Sequence, residues 1–456
     1  MDESAGGHDA MVGIRASRIA TVRRRVASWA GKKVASVAAL WRSAAILWGM
    51  RRELRAAARI VIMPEGGFGH TIIAPDAFRR LYTGQRLVFL VVQNPNQNPE
   101  VATLWPDLRM EFLPFVHTVR FAGRDVTWDA SWVQRHHAGR LLTMLLRATT
   151  RARVYRTINE MYEEVAAVRP TPAVAARGGH PWRAGWAELL LHADVGPARL
   201  PPDVERPIRE KIREFLGPDV DPTRGFCALY LRTKGEGSDV RSDTTRIGAP
   251  FEDYVPSIHA LVDAGFVVLI TGDRQPDDRF RGMCDGRVVA PAWIGVDAKR
   301  FSLFASTAVD AWVGNFGGGT CLPTVNRIPS LVVEAFPFGG GIPHARMHYK
   351  TVQDANGRLV PYSVLFDRYA HDHELGGLTL CSSTPEELRE AVAEFIMALD
   401  GRVDDGVGKE ILRGLPDHVI DKYAGSRLSR AWLAQYGVPP HTSASRSTAV
   451  AARPGS

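Results

Sequence analysis

Residues 309–321 read VDAWVGNFGGGTC, and residues 328–334 read IPSLVVE. The two segments predict a short apolar strand, a glycine-rich turn, one helix and a second apolar strand. In an open parallel sheet, ligands bind in the crevice at the carboxyl ends of the strands. Glycines there let backbone N–H groups approach a ligand, and a helix beginning near Thr320 adds unpaired N–H groups and a positive dipole end. The stretch predicts a phosphate or pyrophosphate site, although the same pattern also occurs as a plain strand-to-helix turn.

The composition is that of a soluble globular protein with more than one domain. A chain of 456 residues is longer than a single hydrophobic core usually supports. Its content of 45% hydrophobic and 23% charged residues is typical of packed domains. The formal charge of +8 is concentrated before residue 59, where eleven Lys and Arg residues face four acidic ones. Because the remaining chain is nearly neutral, the charge pattern argues against nucleic-acid binding.

Cysteine usage and hydropathy bear on the cellular compartment. The four cysteines are widely spaced and form no CxxC pair, which argues against a zinc ribbon and indicates a reduced environment. No run reaches the roughly 18 apolar residues of a membrane span. The basic N-terminal region does not resemble a secretory signal. These features predict a cytoplasmic protein.

Residues 1–58 form a basic extension, with a predicted amphipathic helix over residues 14–58. Apolar residues recur there at steps of three and four, and Trp29, Trp41 and Trp48 lie among arginines and lysines. This pattern favours peripheral binding to an anionic membrane, at the inner face of the plasma membrane. The alternative is that the apolar stripe packs on its own protein or on a partner subunit.

Strand and helix patterns alternate in both halves of the chain, which predicts an α/β fold of two Rossmann-like domains that face a cleft. The predicted strands are 59–63, 87–92, 110–115, 226–231, 266–270 and 287–291. The predicted helices are 72–82, two within 132–168, 251–264, 299–307 and one that begins after Thr384. The proline-rich segment 169–207 is predicted to be a loop-rich connection. The predicted domains are 59–200 for the acceptor, 201–400 for the donor, and 401–456 for a C-terminal helix and a disordered tail.

Two glycine-rich loops carry a resemblance to a known family. Gly66-Gly67-Phe68-Gly69-His70 follows the first strand, and Gly317-Gly318-Gly319-Thr320 precedes a helix and an apolar strand. This layout resembles GT-B glycosyltransferases. Leu231-Arg232 and Thr271-Gly272-Asp273 at strand ends are similar to bacterial glycosyltransferases distantly related to α-1,6-fucosyltransferases. The resemblance covers about residues 59–350, and it departs from many GT-B donor sites in having Pro323 near the position of a ribose-binding glutamate.

The donor site is predicted in the second half. A guanidinium at a strand end can bind both phosphates of a leaving nucleoside diphosphate, and this contact strengthens as charge develops. The resemblance implies this catalytic role for Arg232; the alternative is an ion pair of Arg232 within its own domain. The other predicted donor-binding residues are Lys234, Asp273, Asn315, Gly317, Gly318, Gly319 and Thr320. For Asp273 the alternative is that it caps a helix or a turn. Arg241 or Arg246 is a further candidate cation.

The acceptor side is predicted in the first half, at the loop containing Gly66, Gly67, Gly69 and His70. Histidine has an unperturbed pKa of about 6.5, so His70 is a candidate general base for an acceptor hydroxyl. The alternative is that its imidazole caps the helix or contacts a phosphate. Glu65 and Asp76 are weaker candidates, and Asp76 is expected to be an exposed helix residue.

Other catalytic patterns are missing from the sequence. It contains no Asp-x-Asp after an apolar strand, no HExxH, no GxSxG and no GxxxxGK[ST]. Residues 371–374 read HDHE and predict a solvated loop rather than a metal site. Together with these absences, the resemblance implies metal- and cofactor-independent hexosyl or deoxyhexosyl transfer from a nucleotide sugar to a glycan, lipid-linked or small-molecule acceptor. The alternatives are a nucleotide-sugar epimerase and a non-catalytic, membrane-associated nucleotide- or sugar-binding protein.

Overall fold

The structure, a computed structural model, describes residues 6–64, 67–94, 97–121, 124–218, 220, 223–232, 248–273, 275–371 and 375–438. For residues 6–27 and 124 it describes the backbone alone. The predicted tail after Pro439 lies outside these residues.

Helices and strands alternate along the chain. Up to residue 168 they are α1 (Gly6–Gly49), α2 (Arg51–Ala56), β1 (Arg59–Met63), α3 (His70–Leu81), β2 (Leu87–Val92), β3 (Arg109–Leu113), β4 (Val116–Phe121), β5 (Arg124–Asp129), α4 (Trp132–Thr149), β6 (Arg153–Tyr155) and α5 (Ile158–Val168). From residue 172 to residue 325 they are α6 (Pro172–Ala176), α7 (Trp182–His192), α8 (Pro202–Leu216), β7 (Phe226–Leu231), α9 (Val255–Asp263), β8 (Val267–Gly272), β9 (Val288–Val289), α10 (Ala298–Thr307), β10 (Ala311–Asn315) and α11 (Cys321–Val325). The remainder are β11 (Ser330–Ala335), β12 (Arg346–Tyr349), β13 (Thr351–Gln353), α12 (Tyr362–Arg368), β14 (Thr379–Cys381), α13 (Pro385–Leu399), α14 (Gly406–Gly414), α15 (Asp421–Ala424), β15 (Arg427–Leu428) and α16 (Arg430–Ala434).

The chain divides into two compact units. Unit 1 contains Met1–Thr71, Gly84–Ala102 and Pro106–Met161, and unit 2 contains Ile72–Thr83, Thr103–Trp105 and Tyr162–Ser456. The domain boundaries predicted from the sequence stay a prediction.

Unit 1 contains a parallel sheet with the strand order β3–β2–β1–β6 among its described residues. The predicted strands 59–63 and 87–92 are confirmed, and the third strand begins one residue earlier than predicted and ends two residues earlier. One face of this sheet, with Ile60, Ile62 and Leu90, packs against Met50 and Leu146. Helix α4 and the segment that joins α1 to α2 therefore pack on this face of the sheet.

Helix α1 packs against a hairpin that the sequence patterns did not predict. Strands β4 and β5 pair antiparallel from Val116↔Asp129 to Phe121↔Arg124, and α1 contacts both strands. The side chains of Trp29, Trp41 and Trp48 are exposed. The alternative that the apolar stripe packs on its own protein does not hold for these tryptophans, whereas Leu47 of the same stripe packs against the unit 1 core.

Unit 2 contains a seven-stranded sheet within the described ranges, and its order is β9–β8–β7–β10–β11–β12–β15. Every neighbouring pair is parallel. Strands β7, β8 and β9 follow one another toward one edge of the sheet, and β10, β11, β12 and β15 toward the other. This is the doubly wound order of a Rossmann fold. The predicted strand 226–231 is confirmed, whereas 266–270 lies at Val267–Gly272 and 287–291 contains only the two residues of β9.

Helices cover both faces of the unit 2 sheet. Leu229 and Val313 lie in one apolar core with Ile258 of α9 and Leu388 of α13. Helix α10 contacts β7 and β8 and buries Phe304. The predicted start of α13 is confirmed, because Thr384 and Glu387 form a reciprocal capping box.

The prediction of a loop-rich connection over 169–207 is wrong. This segment contains α6, α7 and the start of α8. Pro172 and Pro202 are the first residues of their helices, where the missing proline N–H costs no hydrogen bond. The prolines therefore begin these helices rather than interrupt them.

Candidate functional site

The candidate site lies where the direction of the unit 2 sheet reverses. Strands β7 and β10 are neighbours, while β8 and β11 continue on opposite sides of them. Ligands of open α/β sheets bind at the carboxyl ends of such a strand pair. Arg232 directly follows β7, and Asn315 ends β10 before the glycine loop 317–319.

Asn315 connects the two strand ends. Its buried side chain accepts a hydrogen bond from the Arg232 backbone N–H through Oδ1 at 2.8 Å. Its Nδ2 donates to the Tyr254 hydroxyl, also at 2.8 Å. Asn315 was predicted to bind the donor, and in this structure its amide holds the backbone at Arg232 beside the glycine loop.

The guanidinium of Arg232 lies directly beside the glycine loop. A Cβ atom built on Gly317 would be 2.9 Å from Arg232 Nη1. The φ angle of Gly317 is 165°, an extended conformation that any residue adopts. Glycine therefore leaves the space that the guanidinium occupies here, and the backbone angles themselves do not call for glycine. The structure brings together the two features that the sequence predicted to share one site.

The other loop residues pack against the sheet. A Cβ atom on Gly319 would be 2.6 Å from the ring of Tyr230, and that ring stacks on Trp312 with 5.9 Å between centroids. Thr320 is buried, and its Oγ1 donates to the Gly317 carbonyl at 2.7 Å. Gly318–Thr320 form a single 3-10 turn. Gly319 and Thr320 therefore fix the shape of the loop.

The helix predicted to supply a dipole is short. Helix α11 contains only the five residues Cys321–Val325. Because the macrodipole is the sum of aligned peptide dipoles, so short a helix contributes little to anion binding. Among the residues that the structure describes, the positive charge at this site comes from arginine side chains.

Asp273 follows β8, the strand beside β7. Its backbone N–H donates to the Leu231 carbonyl at 3.0 Å. Burial raises the pKa of the Tyr230 phenol, the Asp273 carboxylate raises it further, and the Arg232 guanidinium opposes both effects. Because β7 and β8 are parallel neighbours and Arg232 and Asp273 directly follow them, both residues lie at the same edge of the sheet.

Arg183 is a second cation near this loop, and the sequence patterns did not identify it. It lies on α7, donates from Nη1 to the Gly340 carbonyl at 3.0 Å, and its guanidinium is 5.9 Å from the ring centroid of Phe316. Burial lowers its pKa, whereas Cys321, Tyr162 and Asp421 act in the opposite direction. No local motif surrounds Arg183, and its segment was predicted to be a loop, so only the fold reveals it.

The predicted acceptor residues lie in unit 1. His70 is half-buried and begins α3 after the carboxyl end of β1, and its backbone N–H donates to the Gly67 carbonyl at 3.1 Å. Gly67 and Gly69 belong to the turn before it. Strand β1 lies between β2 and β6, so this turn is also at a reversal point of its sheet. Gly66 and Glu65 lie outside the described residues.

The expectation that Asp76 is exposed is wrong. Asp76 is fully buried, forms an ion pair with Arg80 Nε at 2.9 Å, and accepts from Trp186 Nε1 at 2.9 Å. Its carboxylate is satisfied by these two partners within unit 2. Such contacts are typical of a structural carboxylate rather than of a general base.

Several predicted residues lie outside the part of the chain that the structure describes. They are Lys234, Arg241, Arg246 and residues 372–374 of the HDHE segment. His371 is described, and its Nε2 lies 2.7 Å from the His418 carbonyl. Among the described residues, no three His, Cys, Asp or Glu side chains are grouped as metal ligands would be. No helix within the described ranges has the length and hydropathy to cross a membrane.

Comparison with known proteins gives matches at the level of structure alone. No protein family and no curated protein matches the sequence. The glycosyl transferase family 9 from Veillonella parvula DSM 2008 is 11% identical, with a TM-score of 0.42, 75% of this chain covered and 98% of that chain. The E. coli ADP-heptose lps heptosyltransferase II is 11% identical, with a TM-score of 0.39 and coverages of 75% and 99%. The E. coli heptosyltransferase WaaC with ADP is 12% identical, with a TM-score of 0.31 and coverages of 64% and 90%. Scores and identities this low do not establish a common family.

Proposed function

We propose that the protein is a glycosyltransferase of the GT-B type, which transfers a sugar from a nucleotide-sugar donor to an acceptor hydroxyl without a metal. The observation that supports this proposal is the Arg232 guanidinium beside Gly317 at the sheet reversal of unit 2. A nucleoside diphosphate binds at such a reversal in many Rossmann folds. A planar guanidinium binds phosphate oxygens through paired hydrogen bonds.

The proposed chemistry places charge stabilisation on the donor side. When the bond from the anomeric carbon to the phosphate oxygen breaks, the leaving diphosphate gains negative charge. A cation fixed beside that oxygen stabilises the transition state more than the bound donor, so it lowers the barrier. Arg232 supplies this charge in the proposal, with Arg183 as the second cation and Asp273 as a contact to the base or ribose.

The proposed acceptor chemistry belongs to unit 1. His70, at the glycine turn after β1, is the proposed general base for the acceptor hydroxyl. The fucosyltransferase resemblance, hexosyl or deoxyhexosyl transfer, and a cytoplasmic location stay predictions, as does the acceptor class.

Donor turnover tests the proposal. The purified full chain is incubated with a panel of nucleotide sugars, and release of the nucleoside diphosphate is measured with and without a panel of acceptors. Arg232→Ala is expected to lower kcat by about 100-fold or more, the size found when a charge-stabilising donor is removed. Arg183→Ala is expected to have a smaller effect in the same direction.

Arg389→Ala is the matched control, since it removes an exposed arginine from α13 of the same unit. Interconversion of the donor with no acceptor present would indicate an epimerase. Binding of nucleotide sugars without any turnover would indicate a non-catalytic binding protein. Unchanged turnover in Arg232→Ala would remove Arg232 from the mechanism.

A further inference from the structure

The outer face of α1 exposes large aromatic side chains. Trp29, Trp41 and Trp48 are 64%, 78% and 71% exposed. The inner face instead contains small residues four positions apart, which are Gly31, Ala35, Ala39 and Ser43. A Cβ atom on Gly31 would be only 3.0 Å from Val126 of the hairpin, so this helix docks closely through its small residues. The chain therefore turns the tryptophans of α1 toward solvent.

Helix α4 repeats this arrangement. Leu141, Met144 and Leu145 are 63%, 60% and 53% exposed on its outer face. Its buried face contains Gly139 and Thr143, and a Cβ atom on Gly139 would be 3.2 Å from Pro64. Exposed apolar side chains of this size on two helices of one unit require an explanation, whereas single ones are ordinary.

The two helices lie on the same side of the unit 1 sheet. Ile46 and Leu47 of α1 pack against the apolar core that contains Leu146 of α4 and Ile60 and Ile62 of β1. Side chains two positions apart on a strand point to one face of a sheet. Both helices therefore cover that face at this core, and their outer faces point away from it.

The exposed charged residues of both helices have one sign. Residues 28–49 and 132–149 contain no aspartate or glutamate. Their exposed basic residues are Lys32, Lys33, Arg42, Arg140 and Arg147. A second copy docking on this surface would bring like charges together, which is unfavourable. Exposed tryptophans with surrounding cations instead complement the headgroups of anionic lipids.

We propose that α1 and α4 together form one membrane-binding surface, which inserts its tryptophan and aliphatic side chains among the headgroups of an anionic bilayer. The surface lies within unit 1 and does not depend on the proposed enzymatic function. It extends the binding region from the N-terminal extension to the body of the unit. The positive charges of the Lys and Arg side chains on both helices supply attraction that added salt weakens.

Vesicle sedimentation of the full chain tests this surface. Vesicles of phosphatidylcholine mixed with phosphatidylglycerol are compared with vesicles of phosphatidylcholine alone, at low and high salt. The full chain is expected to bind the anionic vesicles at low salt, with a shift of tryptophan emission to shorter wavelength. The double variants Leu141→Ser/Met144→Ser and Trp41→Ser/Trp48→Ser are each expected to weaken partitioning at least tenfold.

The matched control is Leu191→Ser/Met397→Ser, which changes two exposed apolar residues of unit 2. It is expected to bind like the unmodified chain, and circular dichroism melting checks that all variants fold. Absence of binding at low salt would overturn the proposal. Unchanged binding of Leu141→Ser/Met144→Ser would show that α1 acts alone and would overturn the two-helix surface. A dimer in lipid-free solution that the α4 variant dissociates would assign the surface to a second copy.

Discussion

Gly317 shows how the lack of one side chain places a cation. Its backbone is extended, so an alanine there would not strain the chain, yet its Cβ would lie 2.9 Å from Arg232 Nη1. Gly319 differs, because an added Cβ would meet the ring of Tyr230 at 2.6 Å. The end of an arginine side chain can move aside, whereas a packed aromatic ring cannot do so without disturbing its neighbours.

The two glycines are therefore expected to respond differently to alanine. Gly317→Ala is expected to weaken binding of the nucleoside diphosphate with little change in melting temperature. Gly319→Ala is expected to lower the free energy of unfolding by about 1–3 kcal/mol, as overpacking does. Calorimetric binding and thermal melting of both variants check this. Equal melting temperatures for the two variants would contradict the packing described at Tyr230.

Asp421 gives a pH-dependent prediction. Burial raises its pKa to about 6, against hydrogen bonds from Tyr349 and Ser426 and the charge of Arg183. The folded state therefore keeps its proton to a higher pH than the unfolded state, and this contribution to stability is lost as the pH rises from about 4 to about 6. A difference of about two between the pKa values of the folded and unfolded states corresponds to roughly 3 kcal/mol of unfolding free energy.

The variant Asp421→Asn isolates this contribution. As the pH rises from 4 to 6, the unmodified chain is expected to lose unfolding free energy relative to this variant. The reason is that asparagine does not titrate. Denaturant unfolding of both proteins across this range measures the difference. A difference that does not change with pH would show that the carboxyl group titrates alike in the folded and unfolded states.

At the scale of elements, α13 has the most complete sequence signal in the chain. Thr384 Oγ1 accepts from the Glu387 N–H at 3.2 Å, and the Glu387 carboxylate accepts from the Thr384 N–H at 2.7 Å. Thr384→Ala is expected to cost about 1 kcal/mol of unfolding free energy, and Thr384→Ser to cost little. Denaturant unfolding of the two variants tests this. A loss of the same size in Thr384→Ser would exclude the hydroxyl as its cause.

Other elements could not be predicted from local pattern. Strand β4 has no fully buried residue and four half-buried ones, so the hairpin gives little apolar signal and was missed. The helices α6 and α8 were hidden because proline was interpreted as a breaker rather than as a first helical residue. In α1 the apolar periodicity follows the large residues, whereas the buried side is formed by the small residues Gly31, Ala35 and Ala39. A pattern of small residues four apart could have revealed that face.

At the scale of the whole molecule, the apolar strands and glycine loops were sufficient to predict two Rossmann-like sheets. Arg232 and the loop 317–320 were predicted together because both follow strands that a parallel sheet brings to one edge. Arg183 was not predicted, since its place beside Phe316 depends on the packing of α7 and not on a neighbouring motif. The position of Arg183 in the site is thus determined by tertiary packing, and the spacing of motifs in the sequence does not reveal it.

Binding of nucleoside diphosphates tests the central claim most directly. Calorimetric titration of the full chain with ADP, GDP, UDP and CDP is compared among the unmodified protein, Arg232→Ala and the control Arg389→Ala. We expect at least one diphosphate to bind, the control to bind equally well, and Arg232→Ala to bind about tenfold to 100-fold more weakly, as loss of a charged hydrogen bond predicts. Binding that is unaffected in Arg232→Ala, or no binding of any diphosphate, would contradict the account.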